Sequence, residues 1–260
     1  MTITLRFHGD LPALLRRPWR HHSLLRLPVR RTASIKDVVE AFGLPHTEVG
    51  RLLVDQQEVD FDHLISNSCR INIWPITPPW DIREPSLLRP HPLPGPRFLV
   101  DINVSKVGRL LRMAGFDAVT HPHWPDRKLA ACAVTEKRLL LSKDRALLMR
   151  RQIEFGRLIR AIEPTAQLHE VINLLALQDQ MHPLSRCMIC NSPLEPVAKK
   201  EIRHLLEPLT RKYYQEFSRC PGCGKIYWPG THVAKMLALL PDPGTRAEEK
   251  NEHTRIPNQE

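Results

Sequence analysis

The hydrophobic positions of this chain change rhythm twice, and each change marks a change of architecture. In the first stretch Ile3, Leu5 and Phe7 share one parity among polar neighbours, which predicts a strand over 3–7 with one face on a core. Further strands are expected over 23–29, 51–54 and 70–74. Between them Ile35, Val38, Val39 and Phe42 recur at spacings of three and four, so 34–42 reads as a helix with Ser34 as its N-cap. Residues 75–97 then carry eight prolines in 23 positions. That density forbids a helix or a paired strand and predicts an extended, semi-rigid connector. Beyond it strand and helix patterns alternate. A strand over 97–100 leads to Asp101, and a helix over 105–114 turns Val104, Val107, Leu110, Leu111 and Ala114 inward and Lys106, Arg109 and Arg112 outward. Gly115 stops that helix. A strand over 117–120, a helix over 127–136 opened by Asp126, a strand over 138–141 ending near Asp144, a strand over 158–162 and a helix over 166–175 follow. This order predicts an α/β fold with a parallel sheet and helices on its faces.

The expected division is therefore a small domain over 1–76, a proline-rich linker over 77–96, the α/β domain over 97–180, a cysteine-bearing segment over 181–240 and an acidic, disordered tail over 241–260. The order of hairpin, helix and further strands in the first domain resembles the ubiquitin-like β-grasp fold, and its sulfur-carrier branch in particular. Sulfur carriers end in a free Gly-Gly, whereas this segment runs Trp74-Pro75-Ile76 into the linker. Carrier chemistry is not expected, and a docking or recognition role, a protein being one candidate partner, is the better reading of the domain.

Charge alters the picture in the second half. The chain of 260 residues has a formal net charge of +10, and nearly all of the excess falls between residues 98 and 240. A polyanionic partner is implied there, nucleic acid first, with a merely solubilising surface as the alternative. Arg6, His8 and Asp10 break any leader-like apolar run, and no stretch approaches the roughly 18 apolar residues of a membrane span, so a soluble cytoplasmic protein is expected. Cys69 and Cys132 lie in apolar surroundings and read as packing residues.

Two constellations carry chemistry. Cys187 and Cys190 form one CxxC, and Cys220 and Cys223 form a second after a 29-residue gap. Two such knuckles supply four thiolates for tetrahedral zinc and leave no open position, so the site is structural. Asn191, Pro221, Gly222 and Gly224 suit the tight turns, and the long gap implies an inserted, helical element across 199–215. The second constellation is acidic. In a parallel sheet the carboxyl ends of the strands share one edge, and Asp101, Asp126 and Asp144 all belong to it. Converging carboxylates call for a cation, and oxygen ligands favour Mg²⁺ or Mn²⁺, which activate water against a phosphodiester. Each aspartate alone could equally be a cap or turn residue. Asn103 is placed to orient a ligand, Asp117 falls at the opposite edge and reads as structural, and His121 and His123 read as surface loop residues.

At these residues a family resemblance becomes specific. FLVDINVSKVGRLLRMAGFDAV, HWPDRKLAACA, KRLLLSKDRALLMRR, RCMICNSPL and FSRCPGCGKIYWPGTHVAKM, in this order, resemble the ribonuclease family named for the C-terminal domain of the mutator-seven exonuclease. The resemblance implies a PIN-like nuclease fold with an appended zinc ribbon, often preceded by a ubiquitin-like domain. It implies Asp101, Asp126 and Asp144 as acidic active-site residues and the four cysteines as zinc ligands. This chain carries Ile102-Asn103-Val104 and Ser142-Lys143 where relatives differ, and no fourth acidic group can be assigned. The expectation is a Mg²⁺- or Mn²⁺-dependent ribonuclease, the alternative a non-catalytic RNA- or ribosome-associated adaptor. RNA phosphates would meet Arg109, Arg112, Lys143 and Arg145 near the acids, then Lys199, Lys200, Arg203, Arg211 and Lys212 in the ribbon insertion. Tyr213, Tyr214, Tyr227 and Trp228 are candidate stacking surfaces, with packing the commoner use.

Overall fold

The computed structural model describes residues 2–28, 31–65 and 67–241, so Val29, the last residue of the expected second strand, and nearly all of the acidic tail lie outside the described residues. The first unit runs β1 (Thr2–Phe7), α1 (Leu11–Leu14), β2 (Leu24–Pro28), β3 (Ala33–Ser34), α2 (Ile35–Ala41), β4 (Val49–Val54), β5 (Gln57–Glu58), β6 (Leu64–Ile65) and β7 (Arg70–Pro75). Five of these strands form one sheet in the order β2-β1-β7-β4-β5. β1 pairs antiparallel with β2 and parallel with β7, the ubiquitin-like arrangement. Ser34 accepts the Asp37 amide at 3.1 Å and starts α2, which lays Ile35 and Val39 on the buried side of the sheet.

The second unit runs β8 (Arg97–Val100), α3 (Ser105–Met113), β9 (Asp117–Val119), α4 (Asp126–Thr135), β10 (Leu139–Ser142), α5 (Arg145–Leu148), β11 (Gly156–Leu158) and α6 (Pro164–Leu175). All four strands are parallel in the order β11-β10-β8-β9. Their apolar runs are buried on both faces, as a covered parallel sheet requires. Phe98, Val100, Leu139 and Leu141 share a core with Val107 and Leu111 of α3 and with Leu168 and Ile172 of α6. Leu99 and Leu140 point the other way, into a core that contains Leu129 of α4 and Leu147 of α5. That second core does not stop at the α/β unit. It is continuous with Ile3, Leu5, Phe7, Ile71 and Ile73 of the ubiquitin-like sheet.

Two sequence expectations change here. The strand expected over 158–162 is Gly156–Leu158, because the chain leaves the sheet where Glu48 captures it, and Ile162 ends 83% exposed. More consequentially, the proline-rich segment is not a spacer. Ile82, Leu88 and Leu93 are buried, Trp80 stacks on Phe155, and the buried Arg89 guanidinium donates to the carbonyls of Glu154, Val49 and Thr47 at 2.9–3.0 Å. Proline excludes secondary structure but not packing, so the segment wraps the two units as a belt.

Glu48 is the centre of the docking. Its side chain has no exposure and accepts from Arg157 at 2.8 Å, Arg160 at 2.8 Å and the Leu158 amide at 2.7 Å. His46 Nδ1 lies 2.7 Å from the Glu40 carboxylate and its Nε2 2.7 Å from the Ile153 carbonyl, while Lys36 reaches the Met149 carbonyl at 3.3 Å.

A third unit carries β12 (Glu195–Pro196), α7 (Lys199–Ile202), α8 (Pro208–Tyr213), β13 (Ser218–Arg219), β14 (Ile226–Tyr227) and α9 (Thr231–Leu237). The three strands form a small antiparallel sheet, and α7 and α8 occupy the gap between the cysteine pairs, as its length implied. This unit is anchored at the end of α3. Gly115 has φ +100°, and a Cβ there would meet the His182 carbonyl oxygen at 2.4 Å.

Removing the acid at the centre of the docking leaves the buried Arg157 guanidinium with only Glu170 at 3.6 Å and Arg160 with only Asp10. Glu48→Ala is expected to cost about 3–5 kcal/mol in a urea titration. Retention of wild-type stability to within about 1 kcal/mol would remove the ion cluster from this role.

Candidate active site and metal centre

The sheet order reverses between β8 and β10, and the carboxyl ends of these strands hold Asp101 and Ser142 side by side. Asp101 is only 7% exposed. Its carboxylate accepts from the Ile102 amide at 2.7 Å, Asn103 Nδ2 at 2.7 Å and Ser142 Oγ at 2.6 Å. The Ser142 hydroxyl in turn accepts from the Asp144 amide at 2.8 Å, and Asn103 Oδ1 accepts from the Lys143 amide at 3.1 Å. Ser142 and Asn103 thus stitch the loop after β8 to the loop after β10 and fix one carboxylate at the crossover crevice, where ligands of such sheets bind.

Asp144 caps α5, accepting from Ala146 and Leu147 amides at 2.7 and 3.3 Å through the same oxygen. Its second oxygen has no hydrogen bond among the described residues. Asp126 stands in the first turn of α4, with Pro125 as the cap, and its carboxylate lies 3.7 Å from Arg150. The three aspartates do not form a tight ligand set: among the described residues the only group of three or more His, Cys, Asp or Glu side chains whose ligand atoms all lie within 4.8 Å of one another is the cysteine quartet. Mg²⁺ keeps several waters and is held by one or two carboxylates, so the acidic edge suits a hydrated ion rather than a direct cage.

The basic residues divide. Arg109 and Lys143 are exposed, as are Lys200, Arg203 and Lys212, while Lys199 bonds Gln215 at 3.0 Å and Arg211 donates to the Leu206 carbonyl at 2.9 Å. Arg112 and Arg145 are corrections to the sequence reading. Arg112 is buried, with its guanidinium on the carbonyls of Ala118 at 2.6 Å, Met188 at 3.1 Å and Ile189 at 2.7 Å. Periodicity put it outside because the ribbon that covers this side of α3 lies more than 70 residues away. Burial lowers its pKa, opposed by the thiols of Cys187 and Cys190. Arg145 turns away from the acids and donates to the carbonyls of Leu14 and Gly43, so it clamps the ubiquitin-like unit. Beside Asp126, His121 stacks on Trp124 at 3.6 Å with Lys128 4.1 Å from the same indole, an arrangement that the sequence reading of a surface histidine missed.

The four thiols meet the geometry of a tetrahedral ion. Cys187 and Cys223 sulfurs lie 3.6 Å apart and those of Cys190 and Cys220 3.2 Å apart, against about 3.8 Å expected when each sulfur is about 2.3 Å from one zinc. The two knuckles are built alike. Asn191 N donates to Cys187 O and Gly224 N to Cys220 O, each at 2.9 Å, and Asn191 and Gly224 have φ of 70° and 75°. This group can hold a metal ion such as zinc. Tyr227 is buried with its hydroxyl 3.2 Å from Cys187 Sγ, and Tyr214 and Trp228 pack around Ile202, Leu206 and Phe217, which leaves Tyr213 as the open aromatic of the four.

Asn191 also spends its side chain. Its Oδ1 accepts from the Ala118 amide at 3.0 Å and its Nδ2 donates to Asp117 at 2.7 Å. Asp117 further binds Arg138 at 2.8 Å and Arg97 at 3.1 Å, so one carboxylate joins the amino edge of the sheet to the first knuckle. Burial pushes this acid up, but bonds from Arg138 and Asn191 and the arginine charges outweigh it and hold its pKa at about 2.

The molecule thus falls in the class of parallel α/β domains with a cluster of polar side chains at the carboxyl edge and an appended metal-capable ribbon. Residues 96–240 match the family described as the Mut7-C RNAse domain, and residues 1–81 match Mut7-C ubiquitin. The chain belongs to the Mut7-C RNAse domain family, whose description assigns a nuclease-type function, and carries the ubiquitin-like domain in front. No curated protein and no solved structure was found to match it.

The depressed pKa of Asp117 has a pH signature. Its stabilisation is complete above the unfolded pKa near 4 and is lost as pH falls toward 2. Asp117→Asn is expected to lose about 2 kcal/mol at pH 7, and the gap from wild type should close below pH 4 in paired urea titrations. A gap independent of pH would show that the charge of this carboxylate does not matter.

Proposed function

We propose that the protein is a metal-dependent ribonuclease that hydrolyses RNA phosphodiester bonds at the edge bearing Asp101, Asp126 and Asp144. The single observation that carries this reading is the clamped Asp101 at the crossover of a parallel sheet, with Ser142 and Asn103 holding it, in a chain of the Mut7-C RNAse family. Asp101, Asp126 and the free oxygen of Asp144 are the groups that would hold Mg²⁺ or Mn²⁺, which when bound supplies an activated water and charge stabilisation at phosphate. Ser142 and Asn103 fix the rotamer of Asp101, so its ligand direction is set before substrate arrives. Arg109 and Lys143 neutralise nearby phosphates, and Lys199, Lys200, Arg203, Arg211 and Lys212 extend the track along the ribbon. Zinc at Cys187, Cys190, Cys220 and Cys223 has a structural role, since four thiolates close its shell. The protein works in the cytoplasm; among the described residues no helix is long and apolar enough to cross a membrane.

The wide placement of the three acids favours a second reading, an RNA- or ribosome-associated adaptor on the same fold. The two are separated by incubating single-stranded and structured RNA with Mg²⁺ or Mn²⁺. Wild type should cleave, and Asp101→Asn or Asp144→Asn should lower the rate by about 10²-fold or more, the order expected when a group that positions or stabilises the reacting centre is removed. Equal rates in wild type and both variants would sink the catalytic assignment, and RNA binding without turnover would select the adaptor. For the ribbon, elemental analysis should find one zinc per chain in wild type and none in Cys220→Ser, while chelation should melt the ribbon before the sheet.

A further inference from the structure

Among the described residues the ubiquitin-like sheet is covered on one face only. Its buried face carries Ile3, Leu5, Phe7, Ile71 and Ile73. The other face is defined by register: Arg26 on β2 and Arg70 on β7 both stand opposite Thr4 on β1, and Arg6 stands opposite Leu24 and Asn72. Arg26 and Arg70 therefore flank β1 at about 10 Å from each other, two strand spacings, with Arg6 one step along on the same face. Together these three arginines line a polar hollow of about 370 Å³ with Thr4 and Asn72. All three are exposed, and among the described residues none makes an ion pair. Three guanidiniums around one hollow repel one another, and the nearby Asp55 carboxylate accepts from the Arg70 amide at 2.8 Å rather than from a guanidinium.

The next row of the same face is aromatic. Arg51 stands opposite Trp74, whose indole stacks on His8 at 4.2 Å and 3° and receives the Arg51 guanidinium at 5.9 Å. Glu58, paired with Arg51 at 3.5 Å, lies at the sheet margin. Guanidiniums beside a flat aromatic pair on an open sheet are the elements with which proteins hold unpaired nucleic acid, charge for the backbone and ring faces for the bases. An acidic peptide would use the charge and leave the rings idle. The face also leads toward the acidic edge: β1 runs on to Asp10, which pairs with Arg160 just past the carboxyl end of β11.

We propose that this open face, with Arg6, Arg26 and Arg70 around its hollow and Trp74 on His8 beside them, binds single-stranded RNA. The proposal extends the ribonuclease reading from where a strand is cut to how it is held, and it is testable without turnover. Full-length Asp101→Asn protein, in buffer without added divalent ions, is titrated into a fluorescent 12-nucleotide single-stranded RNA at several salt concentrations. Arg6→Ala/Arg26→Ala/Arg70→Ala in that background should weaken binding at least 10-fold and reduce the slope of log affinity against log salt by about 2, three contacts at about 0.7 each. Trp74→Leu should weaken binding several-fold with the slope unchanged. Thermal melts establish that each variant is folded, and the triple variant, changed only at exposed side chains, decides the matter if Trp74→Leu is not. Unchanged affinity and slope in the triple variant would overturn the proposal. So would a poly-glutamate peptide that binds wild type as tightly as RNA and loses binding in the same variant, since an acidic protein segment would then be the partner. RNA binding that survives in a protein without cleavage activity would overturn only the nuclease reading.

Discussion

A carboxylate with no contact with water holds the molecule in its shape. Glu48 leaves the ubiquitin-like unit at the start of β4 and is met by two arginines and an amide from the far end of the α/β sheet. Buried ions of this kind contribute little net stability, because desolvation consumes most of the attraction, but they tolerate only one arrangement of their partners. The apolar core shared by the two sheets supplies the favourable free energy of docking, and Glu48 supplies its registry. Arg89 from the proline-rich belt and Arg145 beside Asp144 add donors to the same joint. The acidic edge and the open basic face consequently belong to one body.

The same economy governs the other end of the sheet. Arg112 and Asp117 are charged residues turned inward to hold the ribbon, with Arg138 bracing Asp117, and the first knuckle contributes Asn191, whose left-handed backbone a β-branched residue would resist. The metal-capable cluster is therefore tied to the sheet by polar bonds at its amino edge, opposite the acids.

Much of this was legible in the sequence. Apolar runs located β8 and β10, the alternation of elements gave the parallel sheet, and the CxxC spacing gave the thiol cluster, because in each case the determining interactions are local or strictly periodic. The failures share a cause. Arg112 and Arg145 looked like surface cations because the elements that bury them are distant in sequence. The proline-rich segment looked like a spacer because composition reports which hydrogen bonds are impossible and is silent on which side chains find a core. Ser142 stood out in the sequence only as a position where relatives differ, yet its hydroxyl is the hinge pin between Asp101 and Asp144. The basic face of the first unit was hidden by arithmetic: its arginines are offset by acids such as Glu48 and Asp10 that are spent on internal pairs, so a net charge averages two surfaces that never meet.

The position of Glu48 also bears on how the molecule is made. Its two arginine partners lie 109 and 112 residues downstream. During synthesis the whole ubiquitin-like segment leaves the ribosome well before either arginine does. Until then the carboxylate keeps its hydration, and the apolar surface that will meet Leu147, Leu148 and Ile153 has nothing to cover it. Docking has to wait for that segment, and in the interval the nascent chain carries apolar surface open to its neighbours.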